Sequence, residues 1–404
     1  MVLGFASNII ITKSLGVEYF GNYMLVIILV TLASQFGSFG LSSANIHFVA
    51  KDSSLLHPLL NLSLLVSTIS SVCICFLIFF LNYLNPNLLG LNETSLLFTV
   101  ILIPLTLIGL LLKSLLIGLG RIGDDNKFSI IARVLSLLIL AIGMFVIGEQ
   151  FSLFSLSNLG MKLALAWFAF FMNLVIMIYL TLRVTKFIKQ GRFVLKELFG
   201  KIHRVGFKAY VICLLSYMVL KSDIFLINYY LSKDDLGNYS LAVSLVDYIY
   251  ILPSVIGTIA FQRLSAEKSD SEKKVLVSRI LQIFVPVFVF VLVTFFFLSE
   301  YLVSFVYGEE FLGSVESIKI LLVAILFMGI QTIQVQFLNS FGFPKQIIIY
   351  WFFGLALNLI LNFTFIENYG ITAVALSTCV SYALVCLLVF LHIRFMNSYK
   401  LVST

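Results

Sequence analysis

The sequence predicts an all-helical protein of about twelve membrane-spanning helices, arranged as two six-helix bundles related by a parallel pseudo-two-fold repeat. The chain has 404 residues, of which 61% are hydrophobic and 11% charged, and its mean hydropathy is +1.09. Soluble domains carry about 25% charged residues, so a bilayer must solvate this chain. The apolar runs are about 20 residues or longer and do not alternate, which favours helices over a closed barrel.

The apolar runs define twelve segments in chain order. They cover residues 1–15, 22–49, 56–82, 95–120, 127–148, 160–182, 206–231, 237–263, 276–298, 315–340, 345–366 and 370–396. The first segment is short, since about 20 residues are needed to cross a bilayer. We therefore expect a truncated or late-assigned start, with part of the first helix missing.

A short polar motif occurs twice and predicts an internal repeat. The stretch "SLGVEYFGNYML" from Ser14 to Leu25 returns 216 residues later as "YLSKDDLGNYSL", and seven positions are identical between residues 14–30 and 230–246. Six predicted spans separate the copies, so both lie on the same side of the membrane, as in a parallel repeat. We expect Gly21 and Gly237 to supply the bend of an external turn at the start of each half.

The basic residues predict the orientation of the chain. Loops after the even-numbered segments, with the C-terminus, hold nineteen lysines and arginines, whereas the opposite loops hold four. The positive-inside rule then places both termini in the cytoplasm. The net charge of +7 reflects this topology and contact with anionic headgroups, not nucleic acid. The longest basic loop predicts a cytoplasmic linker, residues 183–205, between an N-terminal bundle, 1–182, and a C-terminal bundle, 206–404.

Several stretches resemble one family of membrane proteins. They are "LGVEYFGNY", "FGLSSANIHFVA" and the second-half run "LKSDIFLINYYLSKDDLGNYSLAVSLVDYIYILPSVIGTIAFQRLS". Together with the helix count and spacing, they resemble Wzx-type polysaccharide flippases of the multidrug/oligosaccharidyl-lipid/polysaccharide exporter superfamily. The first predicted helix is shorter than in that pattern. The sequence therefore gives no prediction of substrate contacts at the beginning of that helix.

The resemblance implies a transport function in a bacterial inner membrane. It implies two bundles around a central cavity that alternate between inward-open and outward-open states. The implied substrate is a polyprenyl pyrophosphate-linked oligosaccharide, which would be moved to the outer leaflet for O-antigen or capsule assembly. Membrane lipids, and a polysaccharide polymerase or chain-length protein, are the implied partners.

Three basic residues within the predicted spans are candidates for substrate binding: Lys113, Arg133 and Lys221. A charge at a helix centre costs about 2.5–3.5 kcal/mol on insertion scales, so it should face a cavity or a partner. Cations suit the phosphates of a pyrophosphate lipid. Lys113 lies about 12 Å from the cytoplasmic end and Arg133 closer still, so snorkelling or local pairing explains these two equally well.

Two acidic residues within the second half, Asp223 and Asp247, are candidates for an ion-coupling site. A buried carboxylate that binds a proton or Na⁺ would bias one state of the cavity. A structural ion pair of Lys221 or Asp223 with Asp247, across two neighbouring helices, is the alternative. The repeat aligns Asp223 with Ser7 and Asp247 with Thr31. The two halves therefore share the pattern of helices, but only the second half carries these acidic residues.

Polar and aromatic residues give weaker signals for sugar binding. Gln331 and Gln334 fall on one helix face, and Tyr248 follows Asp247 directly. Amides and aromatic rings suit sugars, but they also hold membrane helices together. The five cysteines lie in apolar runs without metal-ligand or disulfide spacing, and we expect no metal and no cofactor.

Two other functions compete with the flippase. A multidrug exporter of the same fold should have acids and apolar walls in its lumen, whereas here interior cations outnumber acids. A membrane-embedded glycosyltransferase or polysaccharide polymerase needs a sizeable hydrophilic loop with catalytic groups. No external loop exceeds about 20 residues, and no paired-carboxylate site, nucleophile motif or phosphate-binding loop is found. The sequence therefore predicts a transporter and not an enzyme.

Overall fold

The part of the chain that the structure describes is almost entirely helical, with short turns between the helices. This computed structural model covers residues 2–150, 158–185, 195–267, 269–341 and 344–402. Two short 3₁₀ turns occupy Ser53–Leu55 and Glu309–Ser314. The α-helices are α1 (Val2–Gly37), α2 (Leu41–Lys51), α3 (Leu56–Leu84), α4 (Pro86–Leu89), α5 (Glu93–Gly118), α6 (Ile122–Gln150), α7 (Asn158–Thr185), α8 (Leu195–Tyr230), α9 (Lys233–Ala266), α10 (Asp270–Val306), α11 (Val315–Asn339) and α12 (Gln346–Val402).

The number of membrane-spanning helices agrees with the sequence prediction once two kinks are considered. Ten helices in the described ranges are long and apolar enough to cross a membrane. Two of them, α1 and α12, are kinked at Gly16 (φ 72°, ψ 178°) and Gly370 (φ 59°, ψ −144°). Only glycine adopts such backbone angles readily. Dividing α1 and α12 at these glycines yields the twelve predicted segments, and the all-helical membrane fold is confirmed.

The outer surface of the helices is strongly apolar. Phe76, Phe290 and Phe297 are 70%, 74% and 78% exposed, and many other large apolar side chains are exposed beside them. Soluble monomers rarely expose contiguous apolar patches of more than a few hundred Å². The surface therefore suits hydrocarbon, in agreement with the span lengths.

The predicted position of the repeated turn is wrong by one to two helical turns. Gly21 and Gly237 both lie inside helices, and the first copy breaks at Gly16 instead. The second copy breaks before Ser232, whose hydroxyl accepts from the backbone N–H of Asp235 (3.1 Å) while that carboxylate accepts from the Ser232 N–H (3.2 Å). Gly16 and Ser232 are 216 residues apart. The repeat thus preserves the place of the break, whereas the prediction chose the glycine that is identical in both copies.

The predicted helix 22–49 is also two helices. Phe39 (φ 44°) and Gly40 (φ 78°) leave the helical region, so α2 begins anew at residue 41. Asn45 holds α2 in place, because its amide donates to the hydroxyls of Ser63 on α3 and Ser114 on α5, both at 3.0 Å. This buried polar junction joins three helices of the first half.

The chain forms two compact units, Met1–Leu214 and Leu215–Thr404. In the first, α5 packs against α1, α2, α3 and α7; in the second, α11 packs against α9, α10 and α12. These two central helices are the fourth predicted span of each half, so the packing follows the repeat. Of the predicted linker, residues 186–194 lie outside the described residues, and residues 195–205 form the beginning of α8.

Candidate functional site

A buried carboxylate lies at the centre of a polar cluster in the second unit. Asp223 on α8 is 1% exposed, and its Oδ2 accepts from the hydroxyls of Tyr239 and Thr378, each at 2.7 Å. The amide of Asn362 makes a longer contact with Oδ1 (3.5 Å) and donates to Asn358 Oδ1 (3.1 Å). A buried carboxylate is costly unless donors surround it, and hydroxyl donors provide strong charge-assisted bonds.

The local sequence explains how these groups meet. Asn358 and Asn362 are four residues apart and share one face of α12, while Thr378 lies beyond the kink at Gly370. The Asn358 amide also donates to Thr378 Oγ1 (3.3 Å), so both parts of the kinked helix contribute to the cluster. The kink is therefore what allows one helix to contact Asp223 with two separate segments.

A second charged group lies beside this cluster. Lys221 Nζ is 2.6 Å from Asp247 Oδ2 and joins α8 to α9. The lysine side chain is 13% exposed and the aspartate side chain 47%. Lys221 and Asp223 are two residues apart on one helix, so their side chains diverge. The structure thus pairs Lys221 with Asp247, the alternative that the sequence left open.

Both acids line one crevice within the second unit. Its walls include Asp223, Asp247, Tyr239, Thr378 and Tyr382, together with apolar side chains of α8, α9 and α11. The enclosed part of the crevice is about 20 Å³, which is room for a water molecule or a small ion. One wall therefore carries two carboxylates and three hydroxyls, which is a set of groups able to bind a proton or a small hard cation.

The two other predicted cations lie in the first unit. Lys113 Nζ is 3.5 Å from Asp125 Oδ2, with the lysine side chain 52% exposed and the aspartate 6%. Local pairing, one of the two interpretations kept open, is thus the observed arrangement of Lys113. Arg133 is exposed on α6, and no ion pair of its guanidinium is found among the described residues.

The predicted sugar-binding residues differ in their exposure. Gln331 and Gln334 on α11 are only 2% and 5% exposed, and Gln334 Oε1 lies 4.0 Å from Cys386 Sγ. The Gln331 Oε1 has no hydrogen-bond partner within the described ranges. Tyr248 is half-buried on α9. This arrangement resembles helix packing for the two glutamines, and their role in sugar binding stays a prediction.

Sequence reasoning missed four residues of the cluster: Tyr239, Asn358, Asn362 and Thr378. Two signals were available in the sequence. Tyr239 belongs to the repeated motif, where it matches Tyr23, and two asparagines four residues apart are unusual in an apolar span such as "ALNLILNFTF". Within the described residues, no group of three or more His, Cys, Asp or Glu side chains is arranged to hold a metal ion.

The fold is shared with transporters of known structure. A lipid II flippase, MurJ, in an inward closed conformation, matches with a TM-score of 0.75 and 18% identity over 97% of this chain and 85% of that one. An inward-facing multidrug resistance MATE family transporter of the MOP superfamily matches with a TM-score of 0.71 and 14% identity, over 98% and 94%. A MOP superfamily transporter from Pyrococcus furiosus, whose binding pocket is described as having reversed polarity, matches at 0.66 and 15%, over 98% and 92%.

The family assignment rests on the sequence itself. Among curated proteins, none matches this chain. The family described as "Polysaccharide biosynthesis protein" matches residues 10–316, which include the first unit from residue 10 onward, both copies of the repeated motif, Lys221, Asp223 and Asp247. With this match over most of its length, and with the fold of the MOP superfamily transporters, the chain belongs to the polysaccharide biosynthesis protein family.

Proposed function

We propose that the protein is a flippase that moves polyprenyl pyrophosphate-linked oligosaccharides across the bacterial cytoplasmic membrane by alternating access. The observation that carries this proposal is Lys221, a cation held within the membrane-spanning part of α8 and beside a crevice. An intramembrane charge is expensive and usually serves transport. The family match supplies the connection to polysaccharides, and the lysine supplies a partner for pyrophosphate.

In this proposal, Asp223 and Asp247 couple transport to an ion. Asp223 is almost completely buried and receives two short hydroxyl hydrogen bonds, so binding of a proton or Na⁺ there would change the charge of the crevice wall. Lys113 and Arg133 are proposed to contact the substrate from the first unit, with Lys113 released from Asp125. Tyr248, Gln331 and Gln334 are proposed to contact sugars.

The proposal also includes an orientation in the membrane, a partner protein and a transport reaction without catalysis. We propose that both termini lie in the cytoplasm, because the loops on that side hold an excess of lysine and arginine. A polysaccharide polymerase or chain-length protein would take the product on the outer face. Neither the family nor the fold suggests catalysis, so the protein is proposed to carry its substrate unchanged.

The competing function is export of drugs, because MATE transporters share the fold. A lysine within a membrane-spanning helix of the second unit favours an anionic substrate over a cationic drug. Expression in a drug-sensitive bacterium separates the two functions. A flippase leaves the sensitivity to cationic drugs unchanged, whereas an exporter raises resistance.

Complementation of a bacterium deleted for its own O-antigen flippase tests the proposal. The wild-type chain should restore surface polysaccharide, and Lys221→Ala should abolish it at equal membrane abundance. Lys345→Ala is the matched control, because it removes one exposed lysine outside the helices. Hosts that make different oligosaccharide repeat units are tested in parallel, so that a mismatch in sugar specificity does not hide the activity. If no host is rescued by abundant wild-type protein, or if Lys221→Ala rescues fully, the proposal is contradicted.

A further inference from the structure

We propose that Asp247 is an internal counter-ion that occupies Lys221 in the empty protein and is displaced by the pyrophosphate group of the substrate. This inference rests on the proposed function and adds to it a competition between an internal carboxylate and an external anion. The geometric basis is the 2.6 Å contact between Lys221 Nζ and Asp247 Oδ2 at the wall of the crevice.

The two partners are unequally exposed. The Lys221 side chain is 13% exposed, whereas that of Asp247 is 47% exposed and forms part of the crevice wall. Asp247 is therefore the partner that faces the crevice, whereas Lys221 is not part of the crevice lining. Asp247 can leave the contact toward that open space, but the enclosed lysine cannot follow it. A buried cation without a partner is costly, so Lys221 needs a counter-ion in every state.

The neighbouring acid cannot replace Asp247 in this role. Asp223 is two residues from Lys221, and its carboxylate is committed to Tyr239 and Thr378 at 2.7 Å each. Among the described residues, Asp247 is thus the only carboxylate at ion-pair distance from Lys221. A pyrophosphate carries more charge and more acceptor oxygens than a carboxylate, and it can displace Asp247 at the ammonium group.

The Lys221–Asp247 pair is absent from the equivalent positions of the first half of the internal repeat. At the offset of 216 residues, Lys221 corresponds to Phe5 and Asp247 to Thr31. The Thr31 hydroxyl donates to the carbonyl oxygens of Ile27 (2.9 Å) and Ile28 (3.0 Å) in its own helix. The equivalent position in the first unit therefore folds without a charge. The lysine and its counter-ion are additions to the second unit alone.

In this proposal, Asp247 and the substrate compete for Lys221. The apparent affinity for the substrate is then the intrinsic affinity multiplied by the fraction of time for which the lysine is free. Removing the negative charge at residue 247 should therefore tighten anion binding, even though it removes an interaction from the empty protein. If the lysine is free about one tenth of the time, the gain is about tenfold. A purely structural ion pair predicts the opposite sign, because its loss disorders the lysine.

Binding of farnesyl pyrophosphate to the full chain in nanodiscs tests the inference, with farnesol as the probe for apolar binding alone. Asp247→Asn and Asp247→Thr should bind farnesyl pyrophosphate about tenfold more tightly than the wild type. Asp247→Glu retains the charge and should lack this gain in affinity, while Lys221→Gln should bind farnesyl pyrophosphate no better than farnesol. Thermal unfolding of each variant identifies those that are folded, and Thr is the residue that the first unit already accepts at this position.

Two results would overturn the inference. One is an unchanged or weaker affinity for farnesyl pyrophosphate in the folded variants without charge at residue 247. The other is wild-type binding in Lys221→Gln. Either result, combined with successful complementation by the wild-type chain, refutes the counter-ion and leaves the flippase proposal standing. Failed complementation by an abundant wild-type chain refutes the flippase itself.

Discussion

Replacement of Tyr239 by phenylalanine tests whether the buried carboxylate of Asp223 depends on its hydroxyl donors. The substitution removes one hydroxyl that donates to Oδ2 over 2.7 Å and leaves the ring in place. Hydrogen bonds to charged groups contribute about 1.5–3 kcal/mol in soluble proteins, and those inside membrane proteins average about 0.6 kcal/mol with a maximum near 1.7. We therefore expect Tyr239→Phe to lower the free energy of unfolding by about 1–2 kcal/mol.

The second donor makes the prediction sharper. Thr378 donates to the same oxygen at 2.7 Å, so the carboxylate keeps one short bond in Tyr239→Phe and loses both in the double variant with Thr378→Val. The double variant should lose more than the sum of the single losses, by about 1 kcal/mol. In an Asp223→Asn background, where the acceptor is neutral, Tyr239→Phe should cost only about 0.5 kcal/mol.

The assay is reversible unfolding in detergent micelles, followed by circular dichroism. The matched control is Tyr239→Phe in the Asp223→Asn background, because the same hydroxyl is removed there without a charged acceptor. Equal losses for Tyr239→Phe with and without the Asp223 charge would refute the reasoning.

Further predictions for four substitutions in the first unit can be measured by the same unfolding experiment. Gly118→Ala should destabilise by about 1–3 kcal/mol, because its Cβ would lie 2.9 Å from Val49 Cβ and 3.0 Å from the backbone oxygen of Asn45. Gly109→Ala on the same helix meets no atom within 4 Å and should be neutral or stabilising by up to about 1 kcal/mol, so equal behaviour of the two would contradict the packing. Asn45→Ala removes the amide that joins three helices and should cost about 1–3 kcal/mol; no loss would mean that this junction is dispensable. Gly16→Ala should cost about 1–3 kcal/mol through backbone strain at φ 72°, and a wild-type stability would place the bend elsewhere.

The membrane fold could be predicted from the sequence because span length and composition are set by the bilayer. Each apolar run must satisfy its own backbone hydrogen bonds, which leaves helices as the answer. The boundaries were less accurate where glycine changes the path of a helix. Gly16 and Gly370 keep helical structure on both sides, and Gly40 divides the stretch 22–49, which was predicted as one helix. Hydropathy is insensitive to these backbone angles.

The charged residues of the site were visible in the sequence, but their neighbours were not. Lys221, Asp223 and Asp247 stand out because a charge in a span is rare. Which acid the lysine contacts depends on the rotation of α8 against α9, and a sequence alone does not determine that rotation. Thr378 reaches Asp223 only because α12 returns after its kink, across a sequence separation of 155 residues. Contacts of that kind follow from the tertiary fold.

The most direct test of the account is translocation of a fluorescent polyprenyl pyrophosphate-linked oligosaccharide by the purified chain in liposomes, read from the fraction that a membrane-impermeant quencher reaches. The account predicts that the wild type brings lipid from the inner leaflet into reach of the quencher, and that Lys221→Gln slows this movement at least tenfold. Lys345→Ala should move the lipid at the wild-type rate. Movement no faster than in protein-free liposomes, or full activity of Lys221→Gln, would contradict the claim that this chain is a flippase with a cationic substrate site.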